Sequence, residues 1–334
     1  MKRLVEKLPP SLKKQVKKMA MPNWVPPMLA TLTKDYFSDP QWIFEPKLDG
    51  IRAIAFCNKS KVTLLSRNKK SQNDTYPEIA DALQKQKLHC ILDGEIVAFR
   101  KGVSSFEQLQ KRLMAIDLEK AQASKVTIYY YIFDVMYLDG YDVTQLPLLE
   151  RKKLLHDALN FKDPLHFTPH KVEKGETYFK SACKKGWEGI MAKRAESTYQ
   201  HKRSRDWLKF KCINEQELVI GGYTDPQGSR LGFGALLVGY YENGNLKYAG
   251  KVGTGFDEET LQVLYKKLSK LKRSKCPFAP DESLPKSKVH WVTPQLVGQI
   301  GFAEWTQYNK LRQPRYLGLR TDKKAKDVVR ETPK

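Results

Sequence analysis

Between residues 42 and 211, short runs of β-branched and aromatic residues alternate with stretches whose apolar residues recur at helical spacing. Several connections between the strand-like runs are too short for the crossover that parallel strands require. The pattern therefore predicts an α+β domain with mostly antiparallel strands. The strand-like runs occupy 52–66, 90–99 and 126–138, and the helical stretches occupy 105–122 and 147–160.

The sequence pattern changes after Cys212, where short strand-like runs are separated by glycine-rich turns. One helix interrupts them at 257–274, with Asp257 as its N-cap. This composition is typical of a small Greek-key barrel of the OB type, and it places a domain boundary near 212–216. The strand-like runs lie at 217–224, 234–256, 288–293 and 297–307, and the buried stripe of the helix consists of Leu261, Leu264, Leu268 and Leu271.

The first 24 residues form a basic segment with two open interpretations. Leu12, Val16 and Met19 recur at helical spacing after two prolines, which is compatible with a short basic helix. The alternative is a frayed, solvated tail. The segment lacks the apolar region of a secretory signal.

Charge narrows the choice of partner. The chain has 59 Lys and Arg against 37 Asp and Glu, a formal net charge of +22. Such an excess repels itself, and a polyanionic partner explains it better than a need for solubility, since acidic surfaces serve solubility at least as well. Nucleic acid is the favoured partner. No apolar run approaches the roughly 18 residues of a membrane span.

The five cysteines are widely spaced, odd in number and never form a CxxC pair. Their spacing argues against a disulfide framework and against a structural zinc site. It is typical of a protein of the reducing cytosol.

The sharpest chemical feature is the segment 45–52. If it is extended, Glu45, Lys47 and Asp49 share one face, and Gly50 then allows a tight turn that leads Arg52 into the next strand. A lysine amine placed among cations and beside a metal can lose its proton and attack the α-phosphate of a nucleotide. A surface lysine next to an ordinary Asp-Gly turn is the alternative.

Further segments supply what such a reaction needs, in a fixed order along the chain. Two lysines, Lys209 and Lys211, share one face of a strand whose other face is apolar. Each segment alone has a structural explanation, so their joint order carries the hypothesis. The other segments supply Arg67 as a phosphate-binding cation, Glu95 in an alternating strand, Phe133 as an aromatic plane for a nucleotide base, and Glu188 as a second carboxylate.

In this order the segments resemble the six motifs of the covalent nucleotidyltransferase superfamily, and within it the ATP-dependent DNA ligases. The bacterial ligase domain associated with end joining is similar at 26–32, 133–140, 250–256 and 315–323. The resemblance extends from about residue 25 to the end. After the basic N-terminal segment at 1–24, it implies an antiparallel-sheet adenylation (nucleotidyltransferase) domain at 25–213 and an OB-fold β-barrel at 214–334.

The resemblance also implies roles. Lys47 would accept AMP, and Glu45 would read the adenine amino group. Lys193 belongs to the implied nucleotide site, but it lies five residues from Glu188, so either Glu188 precedes the strand or Lys193 is structural. The remaining roles are Arg52 and Arg67 on ribose and phosphates, Phe133 on adenine, Lys209 and Lys211 on the α-phosphate, Glu95 and Glu188 on a divalent metal or the ribose, and Arg320, Asp322 and Lys323 on the leaving pyrophosphate.

The implied activity is the sealing of nicks in duplex DNA with ATP and Mg²⁺ or Mn²⁺, through lysyl-AMP and then DNA-adenylate. We expect a monomeric two-domain enzyme of the bacterial cytosol, recruited by a DNA-end-binding protein. The basic residues of 1–24 and of a loop at 199–206 are candidate DNA contacts. An RNA ligase, an RNA-capping guanylyltransferase and a non-catalytic OB protein remain alternatives.

Overall fold

The computed structural model describes residues 4–59, 61–113, 125–212, 214–226 and 231–332. The chain divides into two compact units, Met1–Cys212 and Ile213–Thr332, and each is described by itself.

The first unit contains a seven-stranded sheet. All its pairs are antiparallel except one, in which the short strand Leu165–Phe167 runs parallel to Tyr129–Leu138. The order across the other strands is Lys17–Lys18, Tyr141–Asp142, Tyr129–Leu138, His89–Val97, Ile51–Asn58 and Lys61–Ser66.

A five-stranded sheet faces the first one. It is antiparallel apart from its last pair, in which Arg203–Lys211 runs parallel to Leu29–Leu32. The predicted α+β class with mostly antiparallel strands is thereby confirmed. The order across this sheet is Lys171–Val172, Trp42–Lys47, Gly189–Arg194, Arg203–Lys211 and Leu29–Leu32.

Helices cover the outer faces of both sheets. The predicted helix at 147–160 is confirmed as Leu148–Ala158, and the one at 105–122 begins at Phe106, with 114–124 lying outside the described residues. The remaining elements of this unit are the helices Leu4–Lys7 (3-10), Pro10–Lys13, Pro77–Lys85, Phe106–Leu113 and Gly175–Lys184, and the hairpin Phe99–Arg100 with Val103–Ser104.

Strand alternation sorts the core into layers. One face of the seven-stranded sheet packs Ala55 and Leu92 against helical residues such as Leu83. The opposite face contributes Ile54 and packs with Trp207 of the five-stranded sheet. The site described below lies between the two sheets. The back of the five-stranded sheet packs Phe44, Ile190 and Phe210 against Phe179 and Ala182 of the helix Gly175–Lys184.

The N-terminal segment is packed, so the interpretation as a frayed tail is wrong. Val5 and Leu8 are buried in the same core cluster as the seven-stranded sheet, and Leu12 packs against it. Only one turn, Pro10–Lys13, is α-helical, and Lys17–Lys18 then pairs as an edge strand. The apolar residues attach this segment to the first unit, while the lysines between Lys7 and Lys18 remain exposed.

The second unit is built around the long strand Asn214–Thr224, which pairs with three neighbours. The predicted helix is confirmed as Glu258–Ser269, capped by the Asp257 carboxylate, which accepts from the Thr260 N–H at 2.8 Å. It ends earlier than expected, because Lys272–Arg273 pairs as a strand. The other elements are the strands Leu236–Glu242, Asn245–Val252, Val289–Val292, Val297–Phe302 and Arg315–Leu319, the hairpin Glu304–Trp305 with Leu311–Arg312, and the 3-10 turn Ala325–Asp327.

The cysteines depart from expectation. Cys183 at the end of one helix forms a disulfide with Cys212, the residue after Lys211, and their Cα atoms lie 5.2 Å apart. Spacing along the sequence argued against a disulfide framework, and it gave no sign of this single cross-link. The pair arises because packing brings the helix C-terminus beside the strand end. Cys57, Cys90 and Cys276 are free thiols.

None of the helices in the described residues is both long enough and apolar enough to span a bilayer.

Candidate active site

Three rows of side chains cover the inner face of the five-stranded sheet. Residues in register on neighbouring strands project to the same side, and successive rows are separated by two residues, about 7 Å. The predicted separation of Lys209 and Lys211 from the apolar face is confirmed. The first row is Lys47, Gly189 and Lys211, the second is Glu45, Met191 and Lys209, and the third is Ile43, Lys193 and Trp207.

Gly189 keeps the first row open between its two lysines. Its φ is +153°, and a Cβ there would lie 1.9 Å from the Phe210 carbonyl oxygen. No other residue fits without moving the neighbouring strand. The consequence is a floor without a side chain between Lys47 and Lys211.

Lys47 forms an ion pair with Glu188. Glu188 lies in a bend immediately before the strand Gly189–Arg194, so its side chain does not follow the strand alternation. This is one of the two explanations that the spacing of Glu188 and Lys193 left open. The carboxylate is buried, whereas the Lys47 side chain keeps 16% of its surface exposed.

Glu45 lies between two ammonium groups. Its Oε1 is 2.5 Å from the Lys152 Nζ and its Oε2 is 2.5 Å from the Lys193 Nζ. All three side chains are buried. Burial by itself would raise the pKa of Glu45, but the two lysines outweigh it and hold the pKa below its ordinary value. Glu45 is thus an ionised acceptor in the interior.

Lys193 lies in the interior and also borders the aromatic surface. Its Nζ lies 4.2 Å from the centre of the Phe133 ring and 4.1 Å from that of Trp207. Burial lowers the pKa of Lys193, and the Glu45 carboxylate opposes that shift only in part.

Arg52 is anchored on the facing sheet. Its Nε and Nη2 donate to the two Asp93 oxygens, each at 2.5 Å, and the Tyr199 hydroxyl donates to the same carboxylate at 2.5 Å. Burial would lower the pKa of Arg52, but Asp93 raises it above its ordinary value. The guanidinium lies 4.8 Å from the centre of the Phe133 ring, so the cation and the aromatic plane are adjacent.

Glu95 is the cross-strand neighbour of Arg52 and therefore projects from the same face. Ile96, the next residue, is buried in the core on the other face of this sheet. Arg67 lies in the turn after the strand Lys61–Ser66. Within the described residues no group of three or more His, Cys, Asp or Glu side chains could hold a metal.

Asp49 lies outside the strand, which ends at Lys47, so strand alternation does not set its direction. Its carboxylate instead accepts from the Phe106 N–H at 2.9 Å, at the start of the helix Phe106–Leu113. The condition for a common face, an extended segment, therefore holds only as far as Lys47.

The 199–206 segment is only partly the loop that we expected, because a strand begins at Arg203. Tyr199 is buried on Asp93, and the strand Arg203–Lys211 includes the second half of the segment. Arg205 is exposed on this strand.

In the second unit, Arg320 and Asp322 form a buried pair with two contacts of 2.9 Å. Burial would raise the pKa of Asp322, but Arg320 lowers it below the ordinary value. Lys323 lies 2.9 Å from Glu217. The three residues follow the strand Arg315–Leu319 and form one polar cluster of this unit.

Models of known protein families match both units of the chain. The model of the ATP-dependent DNA ligase domain matches residues 27–211, and that of the ATP-dependent DNA ligase C-terminal region matches 229–323. This chain belongs to the ATP-dependent DNA ligases. Its similarity to proteins named for non-homologous end joining confirms the predicted resemblance to the bacterial end-joining type as well.

Relatives of this ligase-family chain carry that type in their names. It is 36% identical over 324 residues to the multifunctional non-homologous end joining protein LigD of Pseudomonas aeruginosa, covering 95% of this chain and 38% of the relative. It is 37% identical over 313 residues to the LigD repair protein of Mycobacterium tuberculosis, covering 91% and 40%. The chain thus spans about two fifths of the length of these relatives.

A solved structure of mycobacterial DNA ligase D, complexed with ATP and MES, is similar with a TM-score of 0.66 and 34% identity. The match covers 92% of this chain and 98% of that chain. It confirms a nucleotidyltransferase domain followed by an OB-like domain.

Three residues that support the site of this ligase-family chain were not predicted from the sequence. Asp93 and Tyr199 hold Arg52, and Lys152 holds Glu45. A signal for Lys152 did exist: it lies at the buried spacing of its helix, four residues after Leu148 and three before Leu155. A charge on an apolar stripe indicates a buried partner.

Proposed function

We propose that this chain seals nicks in duplex DNA, using ATP to adenylate Lys47 and passing the AMP to the 5′-phosphate at the nick. The observation that supports this most directly is the position of Lys47, at the end of a face that also presents Glu45, Lys209 and Lys211. The domains that act are the adenylation domain at 25–213 and the barrel at 214–334, with 1–24 as a basic segment.

In the first step the Lys47 Nζ attacks the α-phosphorus of ATP. A nitrogen–phosphorus bond forms, the bond to the bridging oxygen breaks, and pyrophosphate leaves. The amine must lose its proton before it attacks, and in the structure this amine forms an ion pair with the Glu188 carboxylate. Lys209 and Lys211 neutralise charge on the α-phosphate, which is what phosphoryl transfer chiefly requires.

The adenine base of ATP is held on the Phe133 ring, beside the third row of side chains and two rows from Lys47. Glu45 accepts from the adenine amino group, and Lys193 borders the same ring. Arg52, fixed by Asp93, and Arg67 bind the ribose and phosphates. From the second unit, Arg320, Asp322 and Lys323 orient the leaving pyrophosphate.

Glu95 and Glu188 are the residues that would hold Mg²⁺, or Mn²⁺ in its place. Hard cations of this kind take oxygen ligands, and Mg²⁺ usually combines one or two carboxylates with water and substrate phosphates. A two-carboxylate donor set fits that habit. The bound ion would supply charge neutralisation on the phosphates.

The DNA steps follow from the same site. AMP passes from Lys47 to the 5′-phosphate, and the 3′-hydroxyl then attacks that phosphate and expels AMP. The net charge of +22 suits the long phosphate contact that these steps need. We place the reaction in bacterial end joining or nick repair in the cytosol, by a monomer recruited through a DNA-end-binding protein.

Intact-mass measurement tests the proposal. The protein incubated with ATP and Mg²⁺ should gain the mass of one AMP, and a nicked duplex added afterwards should remove it and yield a sealed strand. Lys47→Ala should gain nothing. An adduct on Lys47→Ala, or an adduct formed with GTP but not with ATP, would show that the proposal is wrong.

A further inference from the structure

One buried lysine that lies outside the three rows reaches the inner face of the five-stranded sheet from a helix. Lys152 is on the helix Leu148–Ala158, and its side chain is only 2% exposed. Its Nζ lies 2.5 Å from the Glu45 Oε1 and 3.1 Å from the Thr168 carbonyl oxygen. Removing an ammonium from water is costly unless a carboxylate and hydrogen bonds compensate for it. The compensating carboxylate here stands two residues before Lys47.

The helix docks on this face at two points, one turn apart. Leu148 packs with Ile43 in a small cluster at the third row. Lys152, four residues later, projects in the same direction and reaches Glu45 in the second row. The position of the Glu45 carboxylate is therefore set by a helix as well as by its own strand.

The two oxygens of Glu45 have separate partners. Lys152 binds Oε1, whereas Lys193, which also touches the Phe133 and Trp207 rings, binds Oε2. A carboxylate pinned at both oxygens cannot turn away from its neighbours. The result is a fixed hydrogen-bond acceptor next to a fixed ammonium donor, beside the Phe133 ring.

That acceptor–donor pair matches one purine. Adenine offers an amino donor at N6 beside an acceptor at N1, whereas guanine offers an acceptor at O6 beside an N1–H donor. Against guanine the carboxylate would meet the O6 acceptor and the ammonium would meet the N1–H donor. Both contacts would be repulsive, so the pair discriminates strongly between the two purines.

We infer that Lys152 is a positioning residue of the nucleotide site, which holds Glu45 as the acceptor for adenine and thereby sets the preference for ATP over GTP. The inference rests on the proposed adenylation of Lys47. Lys152 takes no part in the transfer of AMP, so its removal acts on nucleotide binding.

The Lys152→Met variant tests the inference. Its rates of AMP- and GMP-adduct formation are measured as functions of ATP and GTP concentration. We expect the half-saturating ATP concentration to rise about tenfold and the ATP-to-GTP preference to fall by about tenfold or more, since one bidentate base contact is typically worth about tenfold to hundredfold in discrimination. The rate at saturating ATP should change less than either. Lys152→Arg should restore the preference at least in part, because it keeps the cation.

A matched control exists on the same helix. Lys153 is the next residue and is exposed, so Lys153→Met removes the same charge without touching Glu45, and it should behave as the unmodified protein. Sealing of a nick that already carries AMP needs no free nucleotide, and Lys152→Met should retain it. If Lys152→Met does not fold, Lys152→Gln, whose amide can still donate to the Thr168 carbonyl, gives the same readout.

The inference is overturned if Lys152→Met lowers the saturated rate while leaving the ATP-to-GTP preference unchanged, because that outcome describes a structural residue. An unchanged half-saturating ATP concentration overturns it as well. Failure of the unmodified protein to form any adduct contradicts the proposed function instead, so the two failures are distinguishable.

Discussion

At the scale of single residues, this protein buries several charged side chains beside partners of opposite charge. Arg151 is the clearest case. Its guanidinium is fully buried, makes two contacts of 2.7 and 2.9 Å with the Asp134 carboxylate, and donates to the carbonyl oxygens of Leu146 and Ser197. It links the helix Leu148–Ala158 to the strand Tyr129–Leu138, at the residue that follows Phe133.

Replacing Arg151 with methionine should lower the free energy of unfolding by about 3–5 kcal/mol, because Asp134 then stays buried without a partner. Chemical denaturation monitored on the first unit measures the change. Lys153→Met on the exposed side of the same helix should stay within about 0.5 kcal/mol. A loss below about 1 kcal/mol in Arg151→Met would contradict the structural role that we assign to the pair.

At the scale of elements, the strand Gly189–Arg194 joins the other two site strands. It pairs with Trp42–Lys47 on one side and with Arg203–Lys211 on the other, and Gly189 lies opposite both Lys47 and Lys211. The first row of the site therefore depends on how closely these strands approach.

Gly189→Ala should separate the strands at the first row, since the added Cβ meets the Phe210 carbonyl and the φ of +153° disfavours any side chain. We expect the rate of AMP-adduct formation to fall by at least about tenfold, since small misplacements of reacting groups cost about that much or more. Gly186→Ala is a useful control: it also replaces a glycine of positive φ, but no atom lies near the added Cβ. Equal rates for Gly189→Ala and the unmodified protein would contradict the argument.

The disulfide links a second pair of elements, the helix Gly175–Lys184 and the end of the strand Arg203–Lys211. A cross-link over 29 residues restricts the unfolded chain, for which chain-entropy arguments give a stabilisation of about 3.6 kcal/mol.

Adding a thiol reductant should therefore lower the unfolding free energy of the first unit by about 2–4 kcal/mol. Chemical denaturation with and without the reductant measures this change. The double variant Cys183→Ser/Cys212→Ser should be insensitive to the reductant and should resemble the reduced protein. If the reductant has the same effect on both proteins, the bridge is not its cause.

At the scale of the whole molecule, the charge balance governs association with DNA. An excess of 22 positive charges makes binding depend on the release of counterions from the phosphate backbone.

We expect the affinity for a nicked duplex to fall by about 10³-fold or more between 50 and 200 mM salt, as it does for proteins with six or more phosphate contacts. Fluorescence anisotropy over a salt series gives the slope. AMP-adduct formation without DNA provides the internal comparison and should depend on salt much less. Affinity that does not change across the series would contradict a backbone-dominated interface.

The sequence by itself determined what repeats over a few residues. Alternation with a period of two placed Lys209 and Lys211 opposite Leu208 and Phe210, and the apolar stripe identified the helix Glu258–Ser269. It also determined the net charge and the order of the motifs, which together indicated the ligase family.

Only the tertiary structure decided which distant groups meet. Glu45 and Lys152 are 107 residues apart, and Asp93 and Tyr199 are 106 apart, yet each pair is in contact. The physical reason is that periodicity reports the direction of a side chain within its own element, whereas a contact depends on how two elements dock. The docking of the helix Leu148–Ala158 on the five-stranded sheet is a property of the packed core, and it determines what lies beside Glu45.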